Sequence, residues 1–413
     1  MQAQGKALKI AVIGAGMGGL AAASLLARDG HRVTLIERFE SPRPLGSGLM
    51  VQPVGLAVLD ELGQGDAARA LGAPIRRMRG WSAQGLDGTA TGLTGAFHEA
   101  LQGRDALDVH YPPQEPAFAM LRASLFHVLW QAMQASDLQL ITGETVVRAL
   151  PYGGGRVLHS EHGEIGAFDL VVDASGAGSA LSPLRARALH YGAIWAHVPW
   201  PEASDMSQDQ LRQRYFRASR MAGLMPIGSL PGESQRRAAV FWSMSRPELE
   251  QWGEDRFDAW KASASTFWPQ MQPFLAGLTS ASQMTPAFYS HGTLRRPYAP
   301  GLVFIGDAAH RASPQLGQGA NMALLDALAL REALRGPPDE ALTAYARMRR
   351  WHVRLYQLFS AFLTPAYQSD SRILPLIRDF GLAPISLVPP VPWLLTRLVA
   401  GRLIPPLASK RWP

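Results

Sequence analysis

Apolar positions along this chain fall into two kinds of run. Short, nearly continuous runs at Leu8 to Ile13, Val33 to Ile36, "FDLVV" (168–172) and "LVFI" (302–305) have the pattern of parallel strands covered on both faces. Each run ends on glycine or acid: Gly14, Glu37, "DASG" (173–176) and Gly306-Asp307. A helix is predicted between the first two runs, and a second opens near Gly319 after a loop that also carries Gly317. In the middle of the chain, "RYFRAS", "MAGLMPIGSLPG" and "RRAAVFWSMS" cluster β-formers around a Pro231-Gly232 turn, which predicts antiparallel strands. "RFDAWKASASTFW" reads as a surface helix. The pattern is that of an α/β protein with a parallel layer and a second, antiparallel sheet.

Composition narrows the class. A chain of 413 residues suits two interleaved domains, and 47% hydrophobic with 18% charged residues is globular. No cysteine is present, which excludes disulfides, cysteine-ligated metal sites and thiol catalysis, and fits a reducing cytoplasm. The net charge of +7 raises nucleic-acid binding as a question. Only Lys6, Lys9, Lys261 and Lys410 are lysines, and the arginines are scattered without a basic block, so no nucleic-acid partner is expected. An arginine excess also attracts anionic cofactors, acidic substrates or a membrane surface. No metal site, signal peptide or membrane span is expected: a glycine turn follows the first apolar run, and prolines and two arginines break the stretch 387–408.

Gly14, Gly16 and Gly19 fit G-x-G-x-x-G between a strand and a helix. The first permits the turn, the second lets a pyrophosphate approach the backbone, and the third lets helix and sheet pack closely. The helix start offers unpaired N–H groups to a diphosphate. Glu37, followed by Arg38, closes the second strand where a carboxylate accepts ribose hydroxyls. This unit implies a dinucleotide containing ADP and leaves FAD and NAD open.

The late segment "GDAAHRASPQLGQGANMALLDA" (306–327) resembles the flavin-binding stretch of the class A flavoprotein monooxygenases, the family of p-hydroxybenzoate and ubiquinone-pathway hydroxylases. The resemblance covers about residues 5–355 and implies a Rossmann-like FAD-binding domain of glutathione-reductase type, an antiparallel β-sheet substrate domain and C-terminal helices. It implies that Asp307 contacts the ribityl chain, that Pro314 lies beside the reactive flavin edge, and that the Leu316–Asn321 backbone, with Gly317, Gly319, Ala320 and Asn321, faces the pyrimidine. The segment "PLGSGLMVQPVGLAVLDELG" (44–63) is similar to the family's flavin-edge segment and places Gly48, Leu49 and Gln52 near the ring. Arg122 in "MLRASLFHVLWQAM" would reach the diphosphate or ribityl region, and "ALTAYARMRRWHVR" (341–354) matches the helix after the last flavin contact. Expected boundaries are 1–75, 100–184 and 285–340 for the FAD domain, 76–99 and 185–284 for the substrate domain, and 341–413 for a C-terminal helical segment.

One motif departs from the family. Ser175 stands where an aspartate associated with FAD and NAD(P)H is usual, and Ser182 where an arginine is common; "DASGAGS" looks like the halogenase and geranylgeranyl-reductase form. Ser175 and Gly176 are still assigned to the cofactor, while direct docking of NAD(P)H comes into question and a separate flavin reductase becomes a possible partner. "IWAHVPWP" has the wrong spacing for a halogenase.

Pocket candidates are Tyr215, Leu224, Met225, Phe241, Trp242, Phe288 and Tyr289, with Pro314, Tyr215 and Trp242 assigned to the catalytic side. His110, Tyr111, His197 and His291 are the acid–base candidates. The resemblance implies a cytoplasmic FAD-dependent monooxygenase, monomer or homodimer, that uses NAD(P)H and dioxygen. It would hydroxylate or epoxidise a hydrophobic aromatic or ring-containing molecule through a flavin C4a-hydroperoxide. Alternatives are a flavin-dependent reductase of isoprenoid or lipid substrates and a redox-inactive flavin-binding protein. For the basic tail beyond residue 360, three roles stay open: pocket cap, protomer contact and peripheral membrane contact. Arg402 falls among Leu395, Leu398 and Val399 on a helical wheel, which favours packing on the protein itself.

Overall fold

In the computed structural model, which describes residues 7–41, 48–83 and 105–408, the four apolar runs become members of one sheet. Its strand order is Tyr298–Ala299, Leu302–Phe304, Leu170–Asp173, Lys9–Ile13, Arg32–Ile36 and Gln139–Ile141. All neighbours pair in parallel except the first two. Ile10, Ala11 and Val12 in the central strand are wholly buried, which is why the run needs no polar alternation. Parallel strands end on the same edge. Ile13, Ile36, Asp173 and Phe304 therefore deliver their following turns to one place, although their positions span most of the chain.

Helices Met17–Arg28 and Gly319–Leu334 pack against each other over this sheet. The second is apolar almost all round, because the sheet side, the first helix and the long helix Ala341–Tyr367 together bury it.

The second large sheet runs in the order His310–Arg311, Thr285–Thr293, Arg187–Pro199, Arg237–Ser245, Arg220–Pro226, Gln210–Phe216, Arg77–Ser82 and Asp105–His110. Every pair in it is antiparallel except Gln210–Phe216 with Arg77–Ser82. Two sequence boundaries move as a result: residues 285–293 and 105–110 belong to this sheet and not to the parallel layer. A small antiparallel sheet, Val146–Tyr152, Gly155–Ser160 and Gly163–Phe168, was not anticipated. Residues 44–47 of the flavin-edge segment, 84–99 of the first substrate-domain piece, and the basic positions 6, 410 and 411 lie outside the described residues.

Both faces of the large sheet are buried. Ile194, Leu224, Val240 and Trp242 pack under helix Glu254–Phe267, with Trp260 and Phe267 edge-on to the Trp242 ring. Met221, Met225, Tyr215 and Phe241 face the other way, with Trp195 beside them, and join Met50 and Tyr111. Two glycines seat the rings on that side: a Cβ on Gly223 would lie 1.8 Å from the Phe241 ring, and one on Gly80 would lie 2.4 Å from Tyr215.

The C-terminal segment locks onto that face. Arg378, 1% exposed, lies over the rings of Tyr215 and Tyr367 at 4.9 and 5.2 Å. It donates to both carboxylate oxygens of Asp379 at 2.6 and 3.0 Å, and Asp379 also accepts from Ser82 Oγ at 2.8 Å. Leu398 and Val399 are buried and Arg402 reaches Glu115, so this part of the tail packs on the protein. Removing one partner of a buried pair leaves an uncompensated charge. Asp379→Ala is therefore expected to lower stability by about 3–5 kcal/mol in urea unfolding. Arg378→Met combined with Asp379→Leu should recover most of that loss.

Candidate functional site

The glycine turn has the geometry the sequence predicts. Gly14 has φ of +97°, and a Cβ there would lie 2.8 Å from Ala174 O. A Cβ on Gly19 would lie 1.8 Å from Gly14 O, so the helix approaches the turn as closely as glycine allows. Gly16 differs: its backbone is extended, it caps helix Met17–Arg28 without a side-chain bond, and a Cβ there meets nothing within 4 Å. The helix start thus presents N–H groups and its positive dipole end beside open space. Glu37 is anchored next to it, accepting from Ala15 N at 2.6 Å and Phe39 N at 3.1 Å. Arg38 is exposed, lies over the Phe39 ring and reaches towards the turn at Gly178.

The "DASG" turn abuts the first, since a Cβ on Gly14 would also meet Ser175 Cα at 2.9 Å. Asp173, fully buried, accepts from Ser175 N and Oγ at 3.0 and 2.5 Å and from Ser179 Oγ. The Ser175 hydroxyl donates to Asp173, while Gly176, at φ +78° with no neighbour for a Cβ, keeps its backbone free for approach. Ser182 Oγ donates to Ala308 O at 2.5 Å, and Arg311 donates to Ala177 O and Asp307 O, so this turn is tied to the late motif.

In that motif, Asp307 is exposed between buried Gly306 and Ala308. Arg122, at the start of helix Arg122–Gln134, faces the same cleft. It is exposed to solvent, and the Asp307 carboxylate is close enough to favour its charged form. Beneath the loop lies a group that sequence reading missed. Asp326 is fully buried and accepts from Gly306 N at 2.9 Å and Arg349 Nε at 2.7 Å, and it pairs with His310 Nε2 at 2.6 Å. Burial alone would raise its pKa, but His310 and Arg349 hold it at about 2. Arg349 continues to Pro406 O and His352, and His352 to Gly401 O. Burial, then the Arg349 charge, pushes His352 down to about 3.

Pro314 is exposed, and Gly317 turns left-handed before the helix begins at Gly319, whose Cβ position is also open. Ala320 is partly buried against the core. The Asn321 side chain is structural: it accepts from Gln52 N at 2.8 Å and donates to Met50 O and Gly317 O. These bonds lock Gly48, Leu49 and Gln52, on and after strand Gly48–Val51, against the late loop. Gln52 Oε1 accepts from Tyr111 Oη at 2.8 Å, whereas its Nε2 is buried without a partner. Burial raises the Tyr111 pKa, so this phenol is a neutral donor and not a base.

Of the pocket candidates, Tyr215, Met225 and Phe241 share the face that meets Met50, and Tyr289 Oη accepts there from Trp195 Nε1 at 2.9 Å. Trp242 and Leu224 do not: they lie in the core on the opposite side of the sheet, which corrects the assignment of Trp242 to the catalytic side. Phe288 is exposed under Arg246. His110 and His197 are exposed. His291 lies behind Pro314, its Nε2 accepting from Ser313 N at 2.8 Å.

The residues present fit FAD. Open Cβ positions at Gly16, Gly176 and Gly319 leave backbone in each of the three motifs free for a ligand to approach, and Arg122 and Asp307 are within electrostatic reach of each other. A family model described as an FAD binding domain matches residues 7–355. The Rhodococcus erythropolis protein named "Probable 2-heptyl-3-hydroxy-4(1H)-quinolone synthase AqdB2" is 28% identical over 90% of this chain and 92% of its own length. The 3-amino-4-hydroxybenzoate 2-monooxygenase of Streptomyces cremeus is 29% identical over 83% of each chain. Among solved structures, Klebsiella pneumoniae HpxO complexed with FAD and uric acid superposes with a TM-score of 0.78 at 21% identity, covering 98% of this chain and 99% of that one.

Two outcomes follow from this geometry. Gly16→Ala is expected to fold normally yet lose FAD affinity at least about tenfold, read by flavin fluorescence titration, because its methyl stands where the diphosphate approaches. Gly19→Ala should instead lower the unfolding midpoint itself. The second outcome concerns pH. His352 is neutral in the fold and charges more readily when unfolded, so stability falls as pH drops from about 6.5 towards 3. The Asp326 contribution, present above about 4, is lost as pH falls towards about 2. His352→Gln should therefore flatten the loss between pH 6.5 and 4 and leave the steeper loss below 4, measured by urea unfolding at each pH.

Proposed function

The chain belongs to the FAD-binding domain family, and on that footing we propose that it hydroxylates an uncharged, lipophilic, ring-containing small molecule with dioxygen as co-substrate. It is an FAD-dependent monooxygenase that uses NAD(P)H. Bound FAD supplies electron transfer from the nicotinamide and activation of dioxygen. The chain's own residues hold, orient and enclose. The turn Gly14–Gly19, Glu37 and Arg38 take the adenosine diphosphate end, Arg122 and Asp307 the middle, and Pro314 with Gly317–Asn321 the ring. The helix beginning at Gly319 would offer its positive end to the ring, where reduction places negative charge.

One observation carries the substrate class. The sheet face opposite this loop offers Trp195, Tyr215, Met221, Met225 and Phe241, and the arginine buried against it, Arg378, is already bonded at both carboxylate oxygens of Asp379. Among the described residues a carboxylate ligand finds no free guanidinium on that face, while an apolar ring finds a wall that excludes water. The quinolone synthase relative, by its name, handles a ring carrying a seven-carbon chain, which supports the same reading. A chain without cysteine also supports a cytoplasmic setting.

Ser175 favours a second reading of how electrons arrive, namely through a separate flavin reductase, because its hydroxyl is committed to Asp173. One assay addresses both points: oxygen uptake by holoprotein with NADH or NADPH, with and without an added reductase, over a panel of alkylquinolones, naphthols and hydroxybenzoates. The expected result is oxygen uptake and a product labelled from isotopic dioxygen with the neutral rings. Turnover of hydroxybenzoates alone would overturn the substrate class. Tyr215 Oη donates to Gln213 Oε1 at 2.9 Å, so it forms a wall and not an acid; Tyr215→Phe should change kcat/KM by less than about fivefold.

A further inference from the structure

The long helix Ala341–Tyr367 has four arginines and no acidic residue. Its inner face is conventional: Arg349, His352, Val353, Tyr356, Ser360 and Thr364 are buried and bond the reactive loop and tail. Its outer face reverses the usual pattern of a surface helix. Trp351, Leu358 and Phe362 recur at i, i+7 and i+11, on one stripe, and are 60%, 67% and 65% exposed. Arg347, Arg350 and Arg354 flank the stripe and make no ion pair among the described residues; Arg350 and Arg354 lie at 5.2 and 5.4 Å from the Trp351 ring.

The following helical turns, Leu374–Leu376 onwards, pack back against this helix and continue the pattern. Ile373, Ile377, Ile385, Leu387 and Val388 are all more than half exposed or nearly so, with Arg372 beside them. Trp393 is 59% exposed beneath Arg397 at 4.9 Å. Among the described residues, all but Leu140, Leu150, Tyr152 and Phe288 of the exposed large hydrophobic side chains fall between residues 351 and 394. Chance scatter does not concentrate them so, and a monomer surface rarely carries such a patch without an occupant.

We propose that this face docks on the anionic headgroup layer of a lipid bilayer. Tryptophan with apolar side chains suits the acyl boundary, and arginines stacked on those rings suit the phosphates just above it. The charge decides against a second copy of this chain: two such faces brought together would oppose their own arginine rows, with no acid in the helix to offset them. Among the described residues no helix is long and apolar enough to cross a membrane, so contact is with one leaflet.

The test is flotation of the FAD-loaded protein with phosphatidylcholine vesicles, with and without phosphatidylglycerol, alongside sedimentation velocity. Flotation with the anionic vesicles, weakened by high salt, is expected. Leu358→Glu with Phe362→Glu, and separately Arg350→Gln with Arg354→Gln, should each raise the lipid needed for half-binding by about tenfold or more, with flavin content per chain unchanged. Failure to float with either vesicle overturns the proposal. So does flotation that neither double variant weakens, and so does a dimer at the assay concentration that Leu358→Glu with Phe362→Glu dissociates.

Discussion

The reactive half of the site depends on one buried carboxylate. Asp326 has no solvent contact, and an ionised group in that position is tolerated only with full pairing. Its partners come from the turn at Gly306, the strand at His310 and the long helix at Arg349. Satisfying it therefore fixes the loop that carries Asp307, and Arg349 passes the constraint to the tail at Pro406. The C-terminal helix is thus part of the site's foundation rather than an appendage.

The two ends of the groove are built on different principles. At the Gly14–Gly19 turn, backbone sterics dominate: three glycines set a turn, an open approach and a helix contact, and side chains add little beyond Glu37. At the ring end, side chains dominate, with Asn321 joining the Met50–Gln52 segment to Gly317 and Asp326 joining everything beneath. Positioning of this kind leaves the redox chemistry to the cofactor.

What was legible in the sequence follows the same division. The first strand, glycine turn and helix could be read because each constraint acts between near neighbours in the chain. The antiparallel strands were legible as strands, but not which side faced the site. Both faces of Arg237–Ser245 are buried, so apolar Phe241 and Trp242 look alike in sequence and point in opposite directions. The bond from Ser175 to Asp173, two residues away, was not legible either, because no spacing rule reports a local bond. Asp326 was quoted within the late motif yet carried no signal; an acid inside a helix reads as a solvent position until tertiary packing buries it. That residues 105–110 and 285–293 join the large sheet was not legible, because sheet membership is a long-range property.

Gly80 and Gly223 set how closely one face of the large sheet can pack. The rings of Tyr215 and Phe241 rest on backbone where a methyl group cannot fit, so the height of that face is fixed from below. A side chain at either glycine would have to displace an aromatic ring or the backbone beneath it, so the shape of this apolar face is set by positions behind the rings as much as by the rings themselves.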